Sequence, residues 1–316
     1  MMDAKIVRCC SVSIFFVCIF LMALSPVAAE ELAESEEAAS FDRLGVEDYT
    51  GTARAELAGF QTIHGLVASA QACVFLDCDS PRLGVALPTL GAGMGLVGSL
   101  VATSDRGITP GHASTINSGT LWGGWLSFAG GYMVADLDGE DVAGLMLLSQ
   151  LAGIGIGHSL AMNLRPTAGD VRMVNSAGAW SGLYYVMITQ GVLDLGQDRR
   201  TVGLGLIGAT TVGAVGGGVL ASNYPMSRGR VGIITSSGIL GGLAGAAGLV
   251  MIFGDDISAR QGTAGISVGS AAGLAVGTLL TQEWDDRDDY PRATVSLSIL
   301  PTEEADGFQA GISGQF

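Results

Sequence analysis

Charge is in short supply in this chain. Asp, Glu, Lys and Arg make up 14% of its 316 residues, against about 25% in a typical soluble domain, and the deficit argues against a water-facing surface over most of the length. Histidine occurs only as His64, His112 and His158, so a site built on convergent titratable groups has little to draw on. His158 and Ser159 are neighbours, and neighbours on a helix point about 100° apart, too far for a base and its nucleophile. Each histidine reads as a packing residue. Positive charge is scarcer still: 15 Lys and Arg stand against 30 Asp and Glu, a formal charge of −15, which argues against nucleic acid as a partner.

Phosphate-binding loops are missing as well. Gly153-Ile154-Gly155-Ile156-Gly157 and Gly216-Gly217-Gly218 have no Lys-Ser/Thr ending and no acidic partner downstream. No cofactor or metal is expected, and the chain is expected not to be an enzyme. Cysteine is also sparse. Cys9, Cys10 and Cys18 fall within the first 29 residues, leaving Cys73 and Cys78. An oxidising compartment permits a bridge between these two if their backbones lie within about 7 Å; two separate thiols are the alternative.

The first 29 residues read as a secretory signal. Lys5 and Arg8 precede an apolar run from Val12 to Leu24, and Val27-Ala28-Ala29 supplies small residues before Glu30, so export is expected. Residues 30–50 carry eight carboxylates against Arg43 alone, the composition of a solvated linker.

What the chain has in abundance is glycine, 49 residues of it, and apolar residues, at 48%. From Gly51 onwards the charges punctuate. Charge-free windows run 57–76, 83–104, 107–135, 142–164, 173–193, 201–227, 231–254 and 261–282. About 20 helical residues cover the roughly 30 Å hydrocarbon core of a bilayer, so each window is long enough to span one.

The windows alternate in kind. Four carry glycines four residues apart: Gly91 and Gly95, Gly153 and Gly157, Gly213 and Gly217, and finally Gly265, Gly269, Gly273 and Gly277. That spacing lines one helix face and admits a close neighbour, the geometry of small-xxx-small pairs. The glycines recur at a period of 60, with Gly273 matched by Gly213, Gly153 and Gly93. The other windows open with a glycine followed by a polar pair: Gly111 with Asn117-Ser118, Gly169 with Asn175-Ser176, and Gly229 with Thr235-Ser236, while Gly51 opens a degenerate first copy. These pairs suit caps or hydrogen bonds between helices. Trp122 and Trp180 share one repeat position that Leu240 fills in the last copy.

The unit is therefore a helical hairpin of about 60 residues present four times, and the expected fold is an all-α membrane bundle of about eight transmembrane helices over 51–284, packed as a glycine zipper. Membrane strands would alternate apolar and polar residues, whereas here the glycines fall every four. Each interior glycine costs about 0.8–1.0 kcal/mol of helix propensity in water. In a bilayer the penalty for unpaired backbone groups forces the helix regardless.

The last segment, 285–316, changes character. After an acidic run, Val295, Leu297 and Ile299 alternate, and so do Phe308, Ala310 and Ile312 before the terminal Phe316, which reads as a short β-hairpin. The alternating strand and terminal aromatic resemble the C-terminal assembly signal of bacterial outer-membrane barrels, but a single hairpin cannot close a barrel.

The function expected from residues alone is structural or scaffolding work by an exported integral membrane protein of the cell envelope. The lipid bilayer is its main partner, and glycine-rich faces are available for contact between copies. A passive channel or transporter between the hairpins, and a secreted soluble helical repeat protein that binds a partner, are the alternatives. Which membrane is left open: Arg165, Arg172, Arg228 and Arg230 fall on the outer side of eight spans that follow a cleaved leader, against the positive-inside bias of an inner membrane.

Overall fold

The computed structural model describes residues 50–78, 80–105, 107–224 and 226–284, together with the backbone of 294–301 and 308–315. The expected leader, the linker up to residue 49 and the acidic run 285–293 lie outside the described residues. Eight helices follow one another: α1 (Gly51–Phe75), α2 (Pro81–Ala102), α3 (Pro110–Phe128), α4 (Gly139–Leu164), α5 (Ala168–Val186), α6 (Arg199–Asn223), α7 (Arg228–Phe253) and α8 (Ala259–Leu280). They match the eight charge-free windows one for one. Helices α3 and α5 run on into π-helical turns, Ala129–Val134 and Met187–Val192. Strands β1 (Thr294–Pro301) and β2 (Phe308–Gln315) pair antiparallel, Thr294 opposite Gln315 and Pro301 opposite Phe308. They belong to a different compact unit from residues 45–285.

Local chemistry explains where the helices start and stop. Thr50, Thr109, Thr167 and Ser227 cap α1, α3, α5 and α7, each hydroxyl accepting from the amide three residues on, which satisfies one of the orphan donors of a first turn. Each of these four helices, with the turn that continues it, is ended by a left-handed residue: Asp77, Asp136, Asp194 and Gly254. Cap and stop are 27 residues apart in all four copies. The even-numbered helices begin after Ser80, Asp138, Asp198 and Ser258, and from each of the first three to the next odd-numbered cap is 29 residues. All the length variation falls between stop and cap, two residues from Asp136 to Asp138 and four from Asp194 to Asp198.

That register corrects two sequence assignments. Counted from the caps, Gly51 stands one residue early and Thr52 is the counterpart of Gly111; likewise Gly95, not Gly93, is the counterpart of Gly153. A fixed period of 60 fails between Gly95 and Gly153 because the link from Asp136 to Asp138 is two residues shorter than the link from Asp194 to Asp198. The geometry agrees: a side chain at Gly93 would meet nothing, whereas one at Gly95 would collide with the Gln61 carbonyl.

The tightest packing joins α1 to α2, α3 to α4, α5 to α6 and α7 to α8. Backbone lies on backbone in these pairs. A side chain at Gly91 would strike the Gly65 carbonyl, one at Gly153 the Gly119 carbonyl, one at Gly213 the Ala177 carbonyl, and one at Gly269 the Gly241 carbonyl. Gly157, Gly217, Gly265 and Gly273 approach the carbonyls of Thr115, Met173, Gly245 and Ser237 in the same way, and Gly277 lies against the Ser237 side chain. Successive pairs then join through their odd-numbered helices, α1 to α3, α3 to α5 and α5 to α7. Each later even-numbered helix also leans back on the preceding pair: α4 on α1, α6 on the π turn after α3, and α8 on the π turn after α5.

Cys73 and Cys78 are not joined by a disulfide. Their nearness has another cause. The Cys78 amide donates to the Cys73 carbonyl at 3.0 Å and the Asp77 amide to the Val74 carbonyl at 3.2 Å, the paired bonds of a Schellman cap, which brings these two positions together at the end of α1.

Candidate functional site

Polarity runs inward in this bundle. Gln61, His64, Asn117, Ser118, Thr120, Gln150, Thr210 and Ser270 are buried, while Met251 is 87% exposed, Leu280 74% and Val212 73%. Five helices, α2, α4, α6, α7 and α8, are long and apolar enough to cross a membrane. The three that fall short, α1, α3 and α5, supply most of the interior polar groups.

Those groups bond from helix to helix. Ser118 Oγ of α3 donates to Asn175 Oδ1 of α5 at 2.6 Å, and Trp122 Nε1 donates to the same oxygen at 2.8 Å. One step on, the hydroxyls of Ser176 and Thr235 bond at 2.8 Å, joining α5 to α7. Ser236 would continue the ladder towards α1, but the residue in register there is buried Ala58, and no hydrogen bond forms from Ser236 among the described residues. Asn117 accepts from Gln61 Nε2 at 3.2 Å. The recurrent polar residues thus form rungs between α1, α3, α5 and α7, with one step missing.

His64 lies at the centre of the richest cluster. Its Nδ1 is 3.2 Å from Gln61 Oε1 and its Nε2 3.3 Å from Gln150 Oε1 on α4. Both ring nitrogens face amide oxygens, and a neutral imidazole has a single N–H. The arrangement is satisfied by an imidazolium, or by a neutral ring with one amide turned over. Among the described residues no carboxylate or thiol is bonded into this group, whose amides and imidazole join α1 to α3 and α4.

Sequence reasoning misses Gln61 and Gln150 because neither type recurs. A signal exists nonetheless: Gln150, Thr210 and Ser270 are 60 residues apart, all buried, and Ser270 bonds Tyr184 of α5 at 2.9 Å as Gln150 bonds His64 of α1. Gln150 and Ser270 thus reach the preceding hairpin, whereas the Thr210 hydroxyl bonds the Leu206 and Ile207 carbonyls of its own helix.

Two further pairings are invisible in one dimension. Arg228 Nη1 of α7 donates to Glu56 Oε2 of α1 at 2.6 Å, and Ser114 Oγ donates to the other Glu56 oxygen at 3.2 Å. His112 and His158 meet across the α3–α4 hairpin, Nε2 to Nδ1 at 3.0 Å. An open depression of about 490 Å³ lies on the outer face of α4, with Ser159 and Asn163 its only polar lining residues. Among the described residues no group of three or more His, Cys, Asp or Glu could hold a metal ion. No known protein family, curated protein or solved structure matches this chain.

Proposed function

We propose that the protein is an exported integral membrane protein of the cell envelope whose task is structural: four hairpins crossing the bilayer as a glycine-zipped bundle, with no catalytic centre. The observation that carries this reading is the inverted polarity, in which amides and hydroxyls face one another inside while Met251, Leu280 and Val212 face outwards. Burying apolar surface is worth about 25 cal/mol per Å² in water, so an aqueous protein with this exterior forgoes its main source of stability. In lipid that exterior needs no cover, and close backbone packing becomes the force that joins helices. The less apolar α1, α3 and α5 are then sheltered by the other helices. Membrane fractionation with alkaline carbonate extraction tests the reading. The mature chain is expected to stay in the pellet and to require detergent; a folded, monodisperse solution without amphiphile would end it.

A second reading, a passive channel, draws on one observation, the polar column of Gln61, His64, Gln150 and Asn117. The mutual hydrogen bonds of these groups and the absence of Asp, Glu, Lys or Arg among them weigh towards structure. Flux of ions or small solutes through reconstituted vesicles, blocked by His64→Leu, would favour the channel instead.

A further inference from the structure

Two of the three histidines in the chain meet in the second hairpin. His112 lies in the first turn of α3 and His158 in the second-to-last turn of α4. The hairpin sets His112 Nε2 3.0 Å from His158 Nδ1, with the ring centroids 5.0 Å apart and the planes inclined by 35°. The repeat itself does not ask for imidazoles there. Counted from the caps, His112 corresponds to Ala53, Asp170 and Arg230, and His158 to Leu100, Gly218 and Thr278. Hairpins of the same build pack without either ring. Neither imidazole has another hydrogen-bonding partner among the described residues, and His158 is exposed.

We propose that His112 and His158 form a two-nitrogen chelate for a divalent transition-metal ion of the copper, nickel or zinc class, fastening the start of α3 to the end of α4. Neutral imidazole is the commonest protein ligand for such ions and binds through either ring nitrogen. With metal–nitrogen bonds of about 2.0–2.1 Å, two nitrogens 3.0 Å apart subtend about 90° at the ion, the angle between neighbouring ligands in a tetragonal Cu(II) or Ni(II) site. Parting the rings by a few tenths of an ångström reaches the tetrahedral angle that zinc prefers. The two ligands come from separate helices, so the ion links elements that the glycine contacts already hold in register. Because His158 is exposed, the remaining positions are left to ligands from outside the chain, and the site stays open where a structural zinc cage is closed. This site does not depend on the membrane reading, since a soluble bundle of the same geometry would carry it equally.

The test uses the full mature chain, purified in detergent without a polyhistidine tag and titrated with Cu²⁺ in a non-coordinating buffer. Calorimetry is expected to give one ion per chain, and electron paramagnetic resonance to give the pattern of two equatorial imidazole nitrogens. Either His112→Gln or His158→Gln should reduce that pattern to one nitrogen and weaken binding by at least about tenfold, while His64→Gln leaves both readouts unchanged. Zn²⁺ should displace the copper signal. Circular dichroism establishes that each variant is folded, and the half-buried and exposed positions of the two rings make that outcome expected. No saturable site in the parent chain, or an undiminished signal in the folded His112→Gln/His158→Gln double variant, overturns the proposal.

Discussion

Glu56 of the first hairpin and Arg228 of the fourth are 172 residues apart in sequence and 2.6 Å apart in space. Their side chains are 22% and 13% exposed, and Ser114 shares the carboxylate from the second hairpin. The pair brings the start of α7 back to α1, closing a circuit that the hydroxyl ladder leaves open at Ser236. It does with one charge pair what polar rungs do at the other junctions.

Removing one partner should cost more than removing both. Glu56→Gln removes the Glu56 charge from Arg228 and is expected to destabilise by about 1–3 kcal/mol, between the values for exposed and fully buried pairs. Glu56→Gln combined with Arg228→Met should recover part of that loss. A double-mutant cycle on thermal unfolding in detergent measures the coupling; strictly additive effects would leave the circuit without its proposed closure.

Glycine positions that look alike along α4 should respond in opposite directions. A methyl group at Gly153 collides with the Gly119 carbonyl, whereas one at Gly155 meets nothing within 4 Å. Gly153→Ala is therefore expected to loosen the α3–α4 pair, while Gly155→Ala stabilises by about 0.5–1 kcal/mol through backbone entropy alone. Unfolding of the two variants side by side reads the difference, and equal behaviour would mean that helix contact does not set the requirement for glycine.

Asn175 accepts from both Ser118 and Trp122, so Asn175→Leu leaves two donors without their acceptor. Hydrogen bonds between membrane helices are worth about 0.6 kcal/mol on average and up to about 1.7. A loss near about 1–2 kcal/mol is expected, with a shift in the Trp122 fluorescence isolated by replacing the other tryptophans with Phe. An unchanged Trp122 spectrum would show that the indole does not depend on this bond.

Asp198, which caps α6, predicts a pH response outside the helices themselves. Bonds from the Thr201 backbone amide and then from its hydroxyl hold the Asp198 carboxyl below its ordinary value of 3.8. A carboxyl lowered on folding contributes stability above its unfolded value and loses it as the pH falls through the folded one. Acidification below 3.8 should therefore fray the start of α6. Thr201→Val keeps the amide but removes the hydroxyl, and should move the Asp198 titration, followed by carboxyl carbon chemical shift, back towards 3.8; no movement would remove the hydroxyl from the account.

The eight helices are legible in the sequence because charge marks their ends: Asp77, Asp136 and Asp194 at left-handed stops, Asp138 and Asp198 at caps. Asn117, Ser118, Asn175, Ser176 and Thr235 are legible as polar positions because they recur. Their partners are less so. Gln61 is an amide only in the first copy, with Thr120, Gly178 and Gly238 in its register; there Gly59 stands in the register of Ser118 and has no side chain to bond, so the task passes two residues along the helix. The Glu56–Arg228 and His112–His158 pairs depend on which residues the hairpins place side by side, and no periodicity encodes that. The one-residue slip at Gly51 has a simpler origin, since glycine is so frequent that a neighbouring one imitates the true opening position.

Because the span from hydroxyl cap to left-handed stop never changes and the link that follows it does, the two ends of the hairpins have unequal freedom to accept foreign sequence. A reporter peptide or epitope placed between Leu195 and Gln197 would extend a segment whose length already differs among sister copies. The same insert between Arg165 and Thr167 would push apart the backbone that Gly111 touches at Pro166. One side of the molecule is thus open to elaboration in length, and the other is fixed to the residue.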